Sequence, residues 1–125
     1  MPREAARERQ ADPAAVLAKA VVRAADYLGL QKAELSRLLG VSAASVTRLY
    51  QGAFAMDPAS KTGEHALLFV RLFRSLDSIV GTREAARTWL AGPNAGLNGR
   101  PIELIQTTQG LVHAVDYLDS HRARV

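Results

Sequence analysis

Apolar residues recur every three or four positions along most of the chain, which is the spacing of one face of a helix. The first run comprises Leu17, Val21, Ala24 and Leu28. It follows Asp12-Pro13, a capping residue with proline at the first helical position, and it stops at Gly29. No stretch shows the period of two that marks a strand. The pattern therefore predicts an all-α fold.

Between Leu30 and Gly52 the same spacing predicts two short helices joined by a tight turn. Gly40 can adopt the positive φ that lets the chain reverse, and Ser42 is placed to cap the second helix. The residues expected to face the core are Leu35, Leu38, Leu39, Val46 and Leu49. This is the pattern of a helix-turn-helix, whose second helix lies in the DNA major groove. A helical hairpin that binds nothing is the alternative.

A second Asp-Pro pair, Asp57-Pro58, predicts the start of the longest helix, which runs to Val80. Apolar residues cover more than half of its circumference. We therefore expect it to pack on two sides, against its own domain and against either a second copy or the C-terminal region. Shorter helices are predicted from Thr82, over Ile102–Ile105, and after a capping Thr107 or Thr108.

Composition divides the chain into three parts. Residues 1–12 are charged and predict a flexible arm, residues 13–55 form the helix-turn-helix region, and residues 56–125 form the long helix and a small helical domain. Within the last part, the run of Gly, Pro and Asn between residues 91 and 101 predicts an ordered loop built of turns.

The net charge of +4 and the pI near 10.0 are modestly basic, and the excess lies where the motif is. Residues 19–52 hold five basic side chains against two acidic ones, which favours attraction to phosphates. The residues expected at bases or adjacent phosphates are Ser42, Ala43, Ala44, Thr47 and Arg48, with Lys32 and Arg37 positioning the DNA backbone. Two recognition helices in a homodimer would read two half-sites about one helical turn apart.

Several classes of function are disfavoured. Cysteine is absent, no apolar run approaches the roughly 20 residues that span a bilayer, and the charged start does not read as a signal peptide. We therefore expect a cytoplasmic protein with no membrane partner. His65, His113 and His121 lie on different segments, and no nucleophile stands near a base. The sequence thus predicts no catalytic site, no metal site and no cofactor.

Two motifs carry a resemblance to a known family. The run from Leu35 to Ser42, with Leu-Leu-Gly-Val-Ser at its end, resembles the helix-turn-helix of Xre/Cro-type repressors. Lys32 departs from it, because that family often has Gln there. The C-terminal run Trp89 to Leu104 contains Trp-Leu, Pro-Asn-x-x-Leu and Gly-x-Pro-x-x-Leu. It resembles the toxin-binding domain of the Xre/MbcA/ParS antitoxins.

The resemblance implies a type II antitoxin that sterically neutralises a cognate RES-domain toxin and represses its own operon. Such toxins are similar to ADP-ribosyltransferases in fold and deplete NAD. The toxin contacts that it suggests are Trp89, Pro93, Asn94, Leu97, Arg100, His121, Arg122 and Arg124. The last three belong to a basic tail, from Asp119 onward, which we expect to be flexible enough to enter the toxin's nucleotide pocket. The alternatives are a stand-alone Cro-like regulator whose C-terminal half only dimerises, and an interaction module that no longer binds DNA.

Overall fold

The computed structural model describes residues 12–123, and these residues form seven helices with no strand. The helices are α1 (Pro13–Leu28), α2 (Lys32–Leu39), α3 (Ala43–Tyr50), α4 (Lys61–Val80), α5 (Arg83–Ala91), α6 (Pro101–Leu104) and α7 (Thr108–Ala123). The all-α prediction is confirmed. None of the helices in this described part is long and apolar enough to cross a membrane.

The first three helices have the limits that their capping residues predict. The Asp12 carboxylate accepts a hydrogen bond from the Ala14 amide at 3.2 Å, and α1 ends at Gly29 with φ +75°. Between α2 and α3, Gly40 has φ +69°, and the Ser36 hydroxyl donates to the Val41 carbonyl at 2.6 Å. Ser36 thus fixes the turn, since its short side chain reaches the backbone of the reversed chain.

The long helix starts later than predicted. It begins at Lys61, not at Pro58, because Ser60 is the capping residue and accepts from the Gly63 amide at 2.9 Å. The Asp57 carboxylate instead accepts from the Ala59 amide at 3.0 Å and closes a turn ahead of the helix. That turn folds back so tightly that a Cβ on Gly63 would lie 1.9 Å from the Asp57 carbonyl oxygen.

The C-terminal region covers the second face of α4. The helix packs against α1 on one side and against α7 on the other, and one hydrophobic core contains residues of both halves of the chain. Leu72 and Ser75 are fully buried on α4 together with Phe69 and Leu76. Of the two predicted coverings for this helix, the C-terminal region is the one that the structure shows.

Polar contacts fix the two halves to each other. The guanidinium of Arg87 on α5 donates to the carbonyls of Tyr27 at 3.0 Å and Asp26 at 2.8 Å, the open carbonyl end of α1. On α4, the Ser75 hydroxyl donates to the Asp119 carboxylate of α7 at 2.7 Å. The recognition helix and the C-terminal helices therefore belong to one packed unit.

The C-terminal tail is not free where the structure describes it. Helix α7 continues to Ala123, so His121 and Arg122 lie on its last turn. Asp119 is held there by Ser75 and by an ion pair with Arg71. The expectation of a flexible tail from Asp119 is therefore wrong up to residue 123. Arg124 lies outside the described residues, as do the first eleven residues of the predicted arm.

Candidate nucleic-acid interface and the C-terminal loop surface

The N-terminal turn of helix α3 is exposed and carries small side chains. Ala43 and Ala44 are exposed in that turn, and their methyl groups leave room for a close approach to another surface. Ser42 caps the helix as predicted, because its hydroxyl oxygen accepts from the Ser45 amide at 3.1 Å. The exposed amide end of this helix also suits a phosphate group.

The arginine of α3 is held by a chain of hydrogen bonds. Nη2 of Arg48 donates to the Ser45 hydroxyl oxygen at 2.9 Å, and the Ser42 hydroxyl donates to the same oxygen at 3.0 Å. Thr47 lies exposed beside them, with its hydroxyl bonded to the Ala43 carbonyl at 3.2 Å. Arg48 is exposed, and its remaining N–H groups form the planar donor set that suits a guanine edge or a phosphate.

Ser45 was missing from the sequence-based set of site residues. Its signal was present in the spacing, since it stands three residues after Ser42 and three before Arg48, and residues three apart meet on a helix surface. In the structure Ser45 is half-exposed. Its role depends on accepting two hydrogen bonds, which hydrophobic patterning does not reveal.

Lys32 is exposed at the first position of α2, next to the end of α3. Its Nζ lies 5.1 Å from the centre of the Tyr50 ring, a cation–π distance. Burial, and to a lesser extent the carboxylate of Asp26, raises the pKa of the Tyr50 phenol. The ring therefore stays neutral beneath the ammonium group of Lys32. The structure thus places a fixed positive charge at the edge of the recognition helix.

Arg37 has a different environment from the one expected. Its Nε donates to the side-chain oxygen of Gln106, which follows α6 in the C-terminal half. The residue is exposed, but one face of its guanidinium is engaged within the chain. Its proposed contact with the DNA backbone stays a prediction, and the structure adds a connection between α2 and the C-terminal region.

The Gly/Pro/Asn loop is ordered by its own backbone. Asn94 and Gly99 exchange two backbone hydrogen bonds of 2.9 and 3.2 Å, and the Asn94 side chain accepts from the Leu97 amide at 3.1 Å. Asn98 has a φ of +58°, a conformation that Asn tolerates better than most residues. Exposed Pro93 lies at the start of this loop. The prediction of an ordered loop built of turns is confirmed.

Two of the predicted toxin-contact residues, Leu97 and Arg100, make contacts within the chain itself. Leu97 is 3 % exposed and belongs to the core, where its side chain anchors the loop; its contact with a toxin stays a prediction. Arg100 donates to the Ala91 carbonyl at 2.8 Å and pairs with Glu103 at 2.9 Å, so it closes the end of α5. Trp89 is half-buried against the core.

The loop and the last helix form one surface through Tyr117. A Cβ on Gly96 would lie 2.6 Å from the Tyr117 ring, so the loop backbone rests directly on that ring. The ring of His121 packs against the Tyr117 ring, with 4.2 Å between ring centres, and its Nδ1 donates to the Tyr117 carbonyl at 2.8 Å. Tyr117, which the sequence did not single out, brings the loop beside His121 and Arg122.

The histidines do not converge. His65 bonds to the Lys61 carbonyl and to the Thr108 hydroxyl, at 2.8 and 2.7 Å, and so joins α4 to the start of α7. Over residues 12–123, no group of three His, Asp or Glu side chains is arranged to hold a metal ion.

Two family models match this chain. The family model described as the antitoxin Xre-like helix-turn-helix domain matches residues 8–71, more than half of the chain. The chain belongs to this antitoxin family. A second family model, the antitoxin Xre/MbcA/ParS C-terminal toxin-binding domain, matches residues 75–124. A comparison with curated proteins gave no match.

The two matched ranges contain the two surfaces described above. The antitoxin carries its helix-turn-helix on α2 and α3, and its toxin-binding domain contains the loop, Tyr117 and the last helix. An antitoxin with these two parts neutralises a toxin and binds DNA. The two matched ranges meet inside α4, the helix that contributes to the core of both halves.

Proposed function

We propose that this antitoxin represses its own operon as a homodimer and sterically neutralises a RES-domain toxin that depletes NAD. The observation that carries the DNA half is the Ser42–Ser45–Arg48 hydrogen-bond chain, which aims an arginine from an otherwise open recognition helix. An operator target implies action in the cytoplasm. The RES identity is supported by the likeness of residues 89–104 to the Xre/MbcA/ParS run, which lies inside the matched toxin-binding domain.

In the proposed DNA complex, α3 lies in the major groove. Ala43 and Ala44 allow its first turn to approach the base edges, and Arg48 donates two hydrogen bonds to one guanine. Because Ser45 holds one arm of the guanidinium, less side-chain entropy is lost on binding. Lys32 supplies a phosphate contact at the edge of the helix, where it adds affinity without sequence preference.

In the proposed toxin complex, the surface around Tyr117 covers the entrance to the toxin's active site. Pro93 and the loop backbone give a rigid ledge, and His121 and Arg122 lie beside it on the last turn of α7. A basic helix end suits a cleft that binds a phosphate-bearing dinucleotide. Trp89, Asn94 and Arg100 act in this proposal by holding the ledge in shape.

Substitution of Arg48 tests the DNA half. Arg48→Ala should weaken operator binding by about 1–3 kcal/mol and relax the preference for one base pair, as expected for loss of a bidentate guanine contact. Arg74→Ala, at an exposed arginine of α4, removes the same charge elsewhere and serves as the control. Equal losses for the two variants in a mobility-shift titration would reject the assigned role.

Rescue of growth tests the toxin half. Coexpression with the RES-domain toxin encoded beside the antitoxin should restore growth, and the Arg48→Ala variant should restore it equally well. A chain cut after Asp119 loses His121 and Arg122 and should neutralise poorly. Full neutralisation by the cut chain would remove the helix end from the mechanism, and absence of any complex with the RES-domain protein would reject that partner.

A further inference from the structure

A groove of about 670 Å³ lies between the first half of α1 and the segment that joins α3 to α4. Ala15, Ala18 and Val22 form the wall from α1, and Leu49 and Phe54 form the opposite wall. The small side chains on the α1 wall would let another helix approach closely. The groove is separate from the loop surface around Tyr117, and the residues of its α1 wall have no role in the proposed DNA or toxin contacts.

The edge of the groove along α1 is a regular stripe of exposed residues. Asp12, Val16, Lys19 and Arg23 are spaced by four, three and four positions, so they share one face of the helix. Val16 is 48 % exposed, and it is one of three large apolar side chains in the described chain with such exposure. The acidic residue lies at one end of the stripe and the two basic residues lie towards the other end.

We propose that a second copy of this chain docks on this face, with the two α1 helices antiparallel. A two-fold interface must be complementary to itself, because each residue pair occurs twice. When Asp12 lies opposite Arg23 of the second copy, the same register puts Val16 opposite Lys19. Each end then holds an opposite-charge pair, and the aliphatic stem of Lys19 covers the exposed valine.

The position of the groove connects this interface to DNA reading. Leu49, Tyr50 and Gly52, at the end of the recognition helix, line the groove. In the proposed pair, both recognition helices therefore end beside the interface, which suits an operator with two related half-sites. The inference rests on the proposed homodimer and assigns the surface that forms it.

The charge pattern favours a second copy over DNA as the occupant. A phosphate backbone would be attracted by Lys19 and Arg23 but repelled by Asp12 on the same stripe, and Val16 offers it nothing. An antiparallel copy of the same stripe gives each of the four residues a favourable partner. The apolar groove beside the stripe is buried in the same contact, which supplies the hydrophobic part of the association.

The test measures the oligomeric state of the full chain without DNA or toxin, by sedimentation equilibrium over a range of concentrations. Val16→Arg places like charges at the centre of the interface, and we expect the dimer dissociation constant to rise by at least roughly tenfold. Val112→Arg, at a valine of α7 that is 40 % exposed, is the matched control and should leave it unchanged. Arg23→Glu should also weaken the dimer, whereas Arg74→Glu should not.

The outcomes separate this surface from the broader function. A dimer that Val16→Arg and Arg23→Glu leave intact would overturn the proposed face while the dimeric repressor stands. A wild-type chain that stays monomeric, both free and on its operator, would overturn the face and the homodimer together. A chain that dimerises only after removal of residues 1–11 would show that its own N-terminal segment fills the groove, and would also overturn the proposal.

Discussion

The anchor between α4 and the last helix offers a sharp test of how the toxin-binding surface is held. Ser75 is fully buried, and its hydroxyl donates to Oδ1 of Asp119 at 2.7 Å. Oδ2 of the same carboxylate is also buried, and its partner is the guanidinium of Arg71. Asp119→Ala therefore removes the acceptor of a buried hydroxyl and one half of an ion pair.

The expected cost follows from the burial of each partner. Leaving the Ser75 hydroxyl buried without an acceptor costs about 1–3 kcal/mol. The side chain of Arg71 is 63 % exposed, so loss of the ion pair adds only about 0–1 kcal/mol after solvent screening. Ser75→Ala should cost about 1 kcal/mol, because the half-buried carboxylate keeps Arg71 as its partner.

The double variant decides whether the two residues act as a pair. When both are replaced by alanine, no buried polar group is left unsatisfied, so the combined cost should fall below the sum of the single costs by about 1 kcal/mol. Urea unfolding of the wild type, the two single variants and the double variant gives this coupling directly. Additive costs would refute the view that the hydrogen bond anchors α7.

The same set of variants connects the anchor to function. Because Asp119 precedes His121 and Arg122 on the last turns of α7, its loss should weaken toxin binding while operator binding is retained. Isothermal titration with the toxin and a mobility-shift assay on the operator measure the two activities separately. Equal loss of both would indicate general unfolding instead of a local effect.

Two further predictions concern glycine packing and alkaline pH. Gly96→Ala places a methyl group 2.6 Å from the Tyr117 ring; it should cost about 1–3 kcal/mol in stability by overpacking and weaken toxin binding in a pull-down, with operator binding unchanged as the control. The hydrogen bond from Tyr27 to Asp77, at 2.6 Å, raises the pKa of the Tyr27 phenol above its usual value of 10.0. The stabilisation from this hydrogen bond is therefore present below about pH 10 and lost as the pH rises through the raised pKa. Tyr27→Phe should flatten this alkaline decline of the unfolding free energy, measured by urea unfolding from pH 8 to pH 11. An identical pH profile for the variant and the wild type would contradict the prediction.

Local sequence was sufficient for much of the fold. The caps at Asp12 and Ser42 and the glycine turns at Gly29 and Gly40 stand where they were predicted, because capping and positive φ depend on a few adjacent residues. The error at the start of α4 also has a local cause, because two capping residues lie close together. Asp57 closes a turn, and Ser60 caps the helix.

Tertiary contacts decided the rest of the candidate site. Three features depend on residues far apart in the chain: the face of α4 that the C-terminal region covers, the burial of Leu97, and the hydrogen bond between Arg37 and Gln106. Helical periodicity carries no information about such partners. The charged end of α7 is the clearest case. Its composition resembles that of a mobile tail, but a buried serine more than forty residues away holds Asp119 and keeps the helix on the core.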